Sequence, residues 1–318
     1  MRVIAGSAAL DVAPPRAVVT VGTFDGVHVG HRAIMDTVVQ RARALSGTAV
    51  VYTFDPHPRQ VVTPGRGPGL LTTLDQKLEL IAGTGVDITV LEPFTTAFSD
   101  TPPERFVREN LHARLRPVEV YVGYNFRFGH QREGSMQLLT ELGPWLGFAV
   151  TIIPEVTLAE EDVSSTRIRA ALAEGEVEMA ARLLGRPYPI RGRVALGERR
   201  GRDIGFPTAN LDPENEILPA PGVYAGRLRF LDAGDPAQGV TLPAVTNLGR
   251  RPTFDAGERI VAEAHLLDFA GDVYGRRVEL GFEQRLRAEH RFPGVDALRE
   301  QIGRDVAEAR RRLAAPVR

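Results

Sequence analysis

Between residues 17 and 184, short β-branched runs alternate with stretches whose apolar residues recur every three to four positions. The runs AVVTVG (17–22), TAVVYTF (48–54), VDITVLE (86–92), VEVYVG (118–123) and FAVTII (148–153) read as buried strands. HRAIMDTVVQRARAL, LDQKLELIAG and PERFVRENLHARL lie between them and read as helices. Such alternation predicts a parallel sheet covered on both faces, with ligands bound beyond the carboxyl ends of its strands. The N-terminal VIAGSAAL is too short for an export signal and reads as a first strand or a loop. After LLGRPYPIRG the pattern changes. Residues 187–290 hold short runs such as GVYAGRLRF, PAVTNLG and RRVELGF, divided by Gly, Pro and Asp turns. That is the pattern of a small antiparallel barrel or sandwich. VDALREQIGRDVAEARRRL closes the chain as a helix, whose arginine-rich end is either a solvated face or an assembly contact in a homo-oligomer. The expected division is 1–185 and 186–318, in an α/β fold.

A length of 318 residues suits two domains of that kind. With a net charge of −1 no global field favours nucleic acid, and no apolar run reaches the roughly 18 residues of a membrane span. There is no cysteine, which excludes disulfides and thiolate chemistry and fits a cytoplasmic setting. Lys77, in TLDQKLEL, is the only lysine. A Walker-type loop is therefore impossible, and any phosphate must be held by backbone NH groups, His, Arg, hydroxyls or a metal.

VGTFDGVHVGH (21–31) occupies the first strand-to-helix connection. A helix N-terminus there offers NH groups and a positive dipole end to an anion. Gly22, Phe24, Gly26 and Gly30 are candidate nucleotide-binding positions, and His28 and His31 can direct imidazole NH groups at phosphate oxygens. Two plainer readings stay open: HxxH spacing as part of a metal site, and a structural pair satisfied by carbonyls.

TFDGVHVGH resembles the HxGH motif of nucleotidyltransferases, in the form found in bacterial bifunctional riboflavin kinase/FMN adenylyltransferases. TFDPHP (53–58), VGYNFRFGHQREG (122–134), SSTRIRAAL (164–172), GRDIGFPTANL (201–211), PGVYAG (221–226), NLGRRPTF (247–254) and DVYGRRVEL (272–280) match that family in order and spacing. The resemblance implies a Rossmann-like nucleotidyltransferase sheet followed by a riboflavin kinase barrel. It also implies ATP, riboflavin, FMN and FAD as ligands and Mg²⁺ as cofactor. His28 and His31 would serve the ATP phosphates, joined by Ser164, Ser165, Thr166 and Arg167, although Ser165 or Thr166 can also simply cap a helix. Asn125 stands where many relatives carry Asp, which leaves adenine or phosphate contact open and puts a metal-ligand role in doubt. Either His57 meets the flavin side of the cleft, or Asp55 and the two prolines of TFDPHP simply shape a strand-end turn.

In the second half, Gly197, Gly201 and Gly205 would bring backbone NH groups to ATP, and Thr208 and Asn210 offer hard oxygen donors to Mg²⁺. Glu263 in VAEAH is the implied base for the riboflavin 5′-hydroxyl; strand alternation sets it on one face with Val261 and His265. A surface glutamate paired with arginine is the plain alternative. Arg287 and Phe292 either close over the flavin or belong to a helix-entry loop. A nucleotidyltransferase for another acceptor with a regulatory barrel, and a non-catalytic nucleotide sensor, are the competing functions.

Overall fold

The computed structural model describes residues 1–158, 161–195, 205–252, 258–269 and 271–314. The chain forms two compact units, Met1–Ser165 and Thr166–Arg318.

The first unit is built on six strands: β1 (Arg2–Ala5), β2 (Val18–Val21), β3 (Ala49–Asp55), β4 (Ile88–Pro93), β5 (Glu119–Gly123) and β6 (Ala149–Ile153). Their order is β1-β4-β3-β2-β5-β6, and every pairing is parallel. All four residues of β2 and six of the seven in β3 are buried. Near-continuous Val, Tyr and Phe runs are what a parallel strand covered on both faces requires. VIAGSAAL supplies β1 as an edge strand, paired with β4. Helices α1 (Val29–Ala44), α2 (Leu74–Ala82) and α3 (Met136–Trp145) follow β2, β3 and β5 in the chain. α1 buries Ile34, Met35, Val38 and Ala42, one stripe of its surface. Because β3, β4 and β1 lie to one side of β2 while β5 and β6 lie to the other, the chain order reverses at β2. The segment after β2 therefore opens at the switch point of the sheet, where α/β proteins hold ligands. A short hairpin, β7 (Thr157–Leu158) and β8 (Glu161–Asp162), comes before the second unit.

The second unit begins with α4 (Ser165–Glu174), whose first residue closes the other unit, and α5 (Val177–Leu184). Gly185, at a φ of 71°, ends α5 in the left-handed conformation common at helix ends. Strands β9 (Tyr188–Ala195), β10 (Ala209–Pro213), β11 (Gly222–Phe230), β12 (Thr241–Pro252), β13 (Glu258–Leu266) and β14 (Arg277–Ala288) close into an antiparallel barrel of order β10-β13-β12-β11-β14-β9. Tyr188, Tyr224, Leu248, Ala262, Ala264 and Phe282 are buried in it, with Tyr224 and Phe282 packed edge to face at 5.3 Å. The last helix, α6 (Val295–Ala314), lies on the outer wall, where its Ala309 and Leu313 pack against Val223, Ala225 and Val245. The expected α/β fold, a parallel sheet and then a small barrel with a terminal helix, is the fold observed.

Candidate active sites

In the first unit the turn between β2 and α1 is tightly wound. Phe24, Gly26 and Val27 all have positive φ, at 51°, 81° and 39°. For a β-branched residue such as Val27 that is a costly conformation, of the kind that persists where surrounding structure fixes it. Asp25 supplies much of that fixing. Its buried carboxylate accepts hydrogen bonds from the Leu71 and Thr72 amides at 3.0 and 3.3 Å, and the Thr72 hydroxyl reaches the Gly26 amide. The Ser165 hydroxyl, at the end of this unit, donates to the Asp25 carbonyl at 3.0 Å.

The turn delivers His28 to the cap position of α1, where its Nδ1 accepts the His31 amide at 3.3 Å. An accepting Nδ1 leaves the ring proton of the neutral tautomer on Nε2, a donor for a ligand. The two imidazoles stack with centroids 3.5 Å apart, and Phe24 meets His31 edge-on at 5.2 Å. Gly30 makes the stack possible, since a Cβ there would stand 3.2 Å from Cε1 and Nδ1 of His28. Gly22 likewise leaves room for the Phe24 ring, 2.8 Å from where its Cβ would be. Burial, and then the adjacent His28, hold the His31 imidazole well below its ordinary pKa of 6.5, so it is neutral at pH 7.

The other expected positions fall as follows. Ser164 directly precedes α4, with Thr166 and Arg167 in the first turn of that helix. Asn125 is exposed just past the end of β5. Beside it Tyr124 donates to Glu155, a bond that with burial pushes the phenol up to about 12. His57 caps a short helix through Nδ1, which accepts the Arg59 amide at 3.1 Å, and it also lines a pocket at the ends of β2 and β3. It therefore has a capping role in the fold and stands at the edge of a cavity. Among the described residues no group of three or more His, Cys, Asp or Glu could hold a metal ion.

In the barrel, register does what sequence spacing could only suggest. Asn210 faces Glu263 across β10 and β13, and Glu263 faces Asn247 across β13 and β12. The same row continues through Val223 to Arg287. Directly opposed side chains stand roughly 5 Å apart at Cβ, so Asn210, Glu263 and Asn247 form one polar stripe. The stripe runs on the outer wall, because Ala262, Ala264 and Leu266 take the interior positions of β13. Val261 and His265 share that outer face with Glu263, as alternation predicted. His265 Nδ1 lies 2.8 Å from the Pro207 carbonyl, so it donates there and pins the segment carrying Thr208 beside the stripe. Gly205 turns at a φ of 86°, whereas Gly197 and Gly201 lie outside the described residues. Asn247, within NLGRRPTF, has no role that its motif alone reveals; register brings it opposite Glu263. Gly249 next to it has no room for a side chain, as a Cβ would come within 2.7 Å of Glu289 Oε1 and 3.0 Å of Asn247 Nδ2. Arg287 is already engaged: Nε and Nη2 donate to the buried Asp305 carboxylate of α6 at 3.1 and 2.8 Å, and the guanidinium lies 5.6 Å from the centre of the Phe292 ring.

Residues 11–167 match the family model described as FAD synthetase, and residues 184–313 match the one described as riboflavin kinase. The chain belongs to the bifunctional riboflavin kinase/FMN adenylyltransferase family. Its relatives of that name include proteins from Escherichia coli K12, 39% identical over 98% of this chain and 97% of that one, and from Pseudomonas fluorescens, 40% identical over 94% and 93%. The Bacillus subtilis protein is 35% identical over 92% of each chain. A crystal structure named as a macrolide-efflux protein from Streptococcus pneumoniae superimposes with a TM-score of 0.86, at 29% identity over 98% of this chain and 99% of that one. No helix among the described residues is long and apolar enough to cross a membrane. The chain is an ATP-dependent enzyme of FAD biosynthesis, with the adenylyltransferase module first and the kinase module second.

Proposed function

We propose that this chain divides FAD synthesis between the two sites just described, with residues 1–185 adenylating FMN and residues 186–318 phosphorylating riboflavin. One observation supports the division: His28 and His31 lie in one compact unit, and Asn210 and Glu263 in the other.

In the adenylation step an FMN phosphate oxygen attacks the α-phosphorus of ATP, and pyrophosphate leaves. The reaction needs two anions held together and charge absorbed on the leaving oxygen. With no lysine in the turn, the NH groups opening α1 and the Nε2–H of His28 take that task. His31 enters the reaction neutral; the arriving triphosphate raises its pKa and draws a proton onto it, so that it becomes cationic as negative charge accumulates. The hydroxyls and amides of Ser164, Ser165 and Thr166 and the Arg167 fork add donors for the pyrophosphate. Gly22, Phe24, Gly26 and Gly30 shape the turn, and Asn125 contributes a neutral amide beside the nucleotide.

In the kinase step Glu263 accepts the proton of the riboflavin 5′-hydroxyl as that oxygen attacks the γ-phosphorus, and ADP leaves. Asn210 and Asn247 flank Glu263 in the strand register. The donor set fits a hard cation, since a hydroxyl and an amide oxygen stand beside a carboxylate. Thr208 and Asn210 would hold Mg²⁺, which supplies neutralisation of the ATP phosphates.

The test is product analysis. Purified protein given riboflavin, ATP and Mg²⁺ makes FMN and then FAD. The double change His28→Ala with His31→Ala is expected to stop FAD formation while FMN accumulates. Glu263→Gln is expected to lower FMN formation by on the order of 10²-fold or more while supplied FMN is still adenylated. Equal loss of both activities in either folded variant would contradict the division.

A further inference from the structure

The pocket at the carboxyl ends of β2 and β3 has no role in the chemistry so far. Thr23, Asp25, Asp55, His57, Thr72 and Lys77 line it. Lys77, the only lysine of the chain, is 8% exposed. Its Nζ donates to the Phe54 carbonyl at 2.8 Å, and that is the one acceptor the ammonium has among the described residues. Two of its three N–H donors thus have no acceptor among the described residues, in a buried place where an unmade hydrogen bond costs most. Asp55 is the complementary case, because its carboxylate accepts no hydrogen bond from any described residue although it interacts electrostatically with Lys77.

Charge narrows the occupant. The ammonium opposes a divalent cation, and two carboxylates oppose a phosphate, so the ligand group here is neutral. It must offer an acceptor to Lys77 and a donor to Asp55. The enclosed part of the cavity is only about 20 Å³, room for a single polar group, so it takes the edge of a ligand rather than a whole ring system. It also lies on the β3 side of the switch point, whereas Asn125 follows β5 on the opposite side. We propose that this pocket reads the pyrimidinedione edge of the flavin during adenylation, with Lys77 donating to a ring carbonyl and Asp55 accepting the neighbouring N3–H. The inference rests on the adenylation reading of the first unit.

The experiment measures KM for FMN, KM for ATP and riboflavin phosphorylation. The full-length protein is compared with Lys77→Met and Lys77→Arg, using FMN and N3-methyl-FMN as substrates. Loss of a hydrogen bond to a charged group corresponds to ~10-fold or more in affinity. The unmodified protein is expected to show a KM at least ~10-fold higher for N3-methyl-FMN than for FMN. Lys77→Met should raise KM for FMN by a similar factor while leaving KM for ATP and riboflavin phosphorylation unchanged, with Lys77→Arg recovering part of the loss. The methylated substrate tests the pocket without relying on the folding of a variant. Indifference of the unmodified protein to N3 methylation would overturn the assignment while leaving adenylation intact, even if Lys77→Met impaired FMN use. Failure of the unmodified protein to adenylate FMN at all would overturn the reading beneath it.

Discussion

His31 is a base kept neutral by its surroundings. Burial and the stacked His28 ring both disfavour its protonated form, so its pKa in the folded protein lies below the ordinary 6.5. In the unfolded chain the ring takes up its proton near that ordinary value. Between the two values the unfolded chain binds more protons, and stability there rises with pH. The contribution is therefore fully present above pH 6.5 and is lost as pH falls through the lower, folded value. Thermal unfolding of the first unit, followed between pH 7.5 and 5, should show a loss of stability on acidification that is smaller in His31→Gln. An identical pH response in the two proteins would mean that His31 is not the group responsible.

At the scale of elements, the barrel keeps its terminal helix through a buried ion pair, an apolar seam and a set of outer contacts that includes Arg310 with Asp268 and Arg227 with the Leu313 carbonyl. Arg287 on β14 grips Asp305 on α6 with three hydrogen bonds, and Gln301 adds a fourth to the same carboxylate. The seam joins Ala309 and Leu313 to the outer wall. With Asp305 buried, its removal leaves the guanidinium without its partner; breaking such a pair costs about 3 kcal/mol. Asp305→Ala is expected to lower the denaturant midpoint of the second unit by a corresponding amount. It should also weaken riboflavin phosphorylation, since Arg287 shares its row with Asn247 and Glu263. A variant as stable as the parent would show that the seam and the outer contacts hold α6 without this pair. Arg285, two residues earlier on β14, plays a comparable part: its guanidinium donates to the Glu174 and Pro221 carbonyls and its amide to Glu178. These bonds fasten α4 and α5 to the barrel.

For the molecule as a whole, the parts legible in sequence are those written in local periodicity. Runs such as AVVTVG and TAVVYTF gave strands because only buried parallel strands tolerate so little polarity, and the glycine-punctuated segment before α1 showed where the sheet would open. Other parts depend on partners far away in the chain. Asp25 is held by residues 46 and 47 positions later, and nothing in TFDGVHVGH points to Leu71 or Thr72. Asn247 became visible only when register set it opposite Glu263. Lys77 looked like an ordinary helical residue because its acceptor, the Phe54 carbonyl, is 23 residues away on another element. Spacing also could not say whether Glu263 faced the core or the outer wall, because both alternatives share the same period of two; closure of the barrel decides it.

The division of labour between two nucleotide sites meets its most direct test in a mixing experiment. The His28→Ala/His31→Ala protein and the Glu263→Gln protein are each given riboflavin, ATP and Mg²⁺, first separately and then together, and FAD is followed by chromatography. Each variant alone should leave FAD close to background, and the mixture should accumulate it, because FMN released by the first protein is adenylated by the second. FAD made from riboflavin by either variant alone, or a mixture that yields neither FMN nor FAD, would contradict the account.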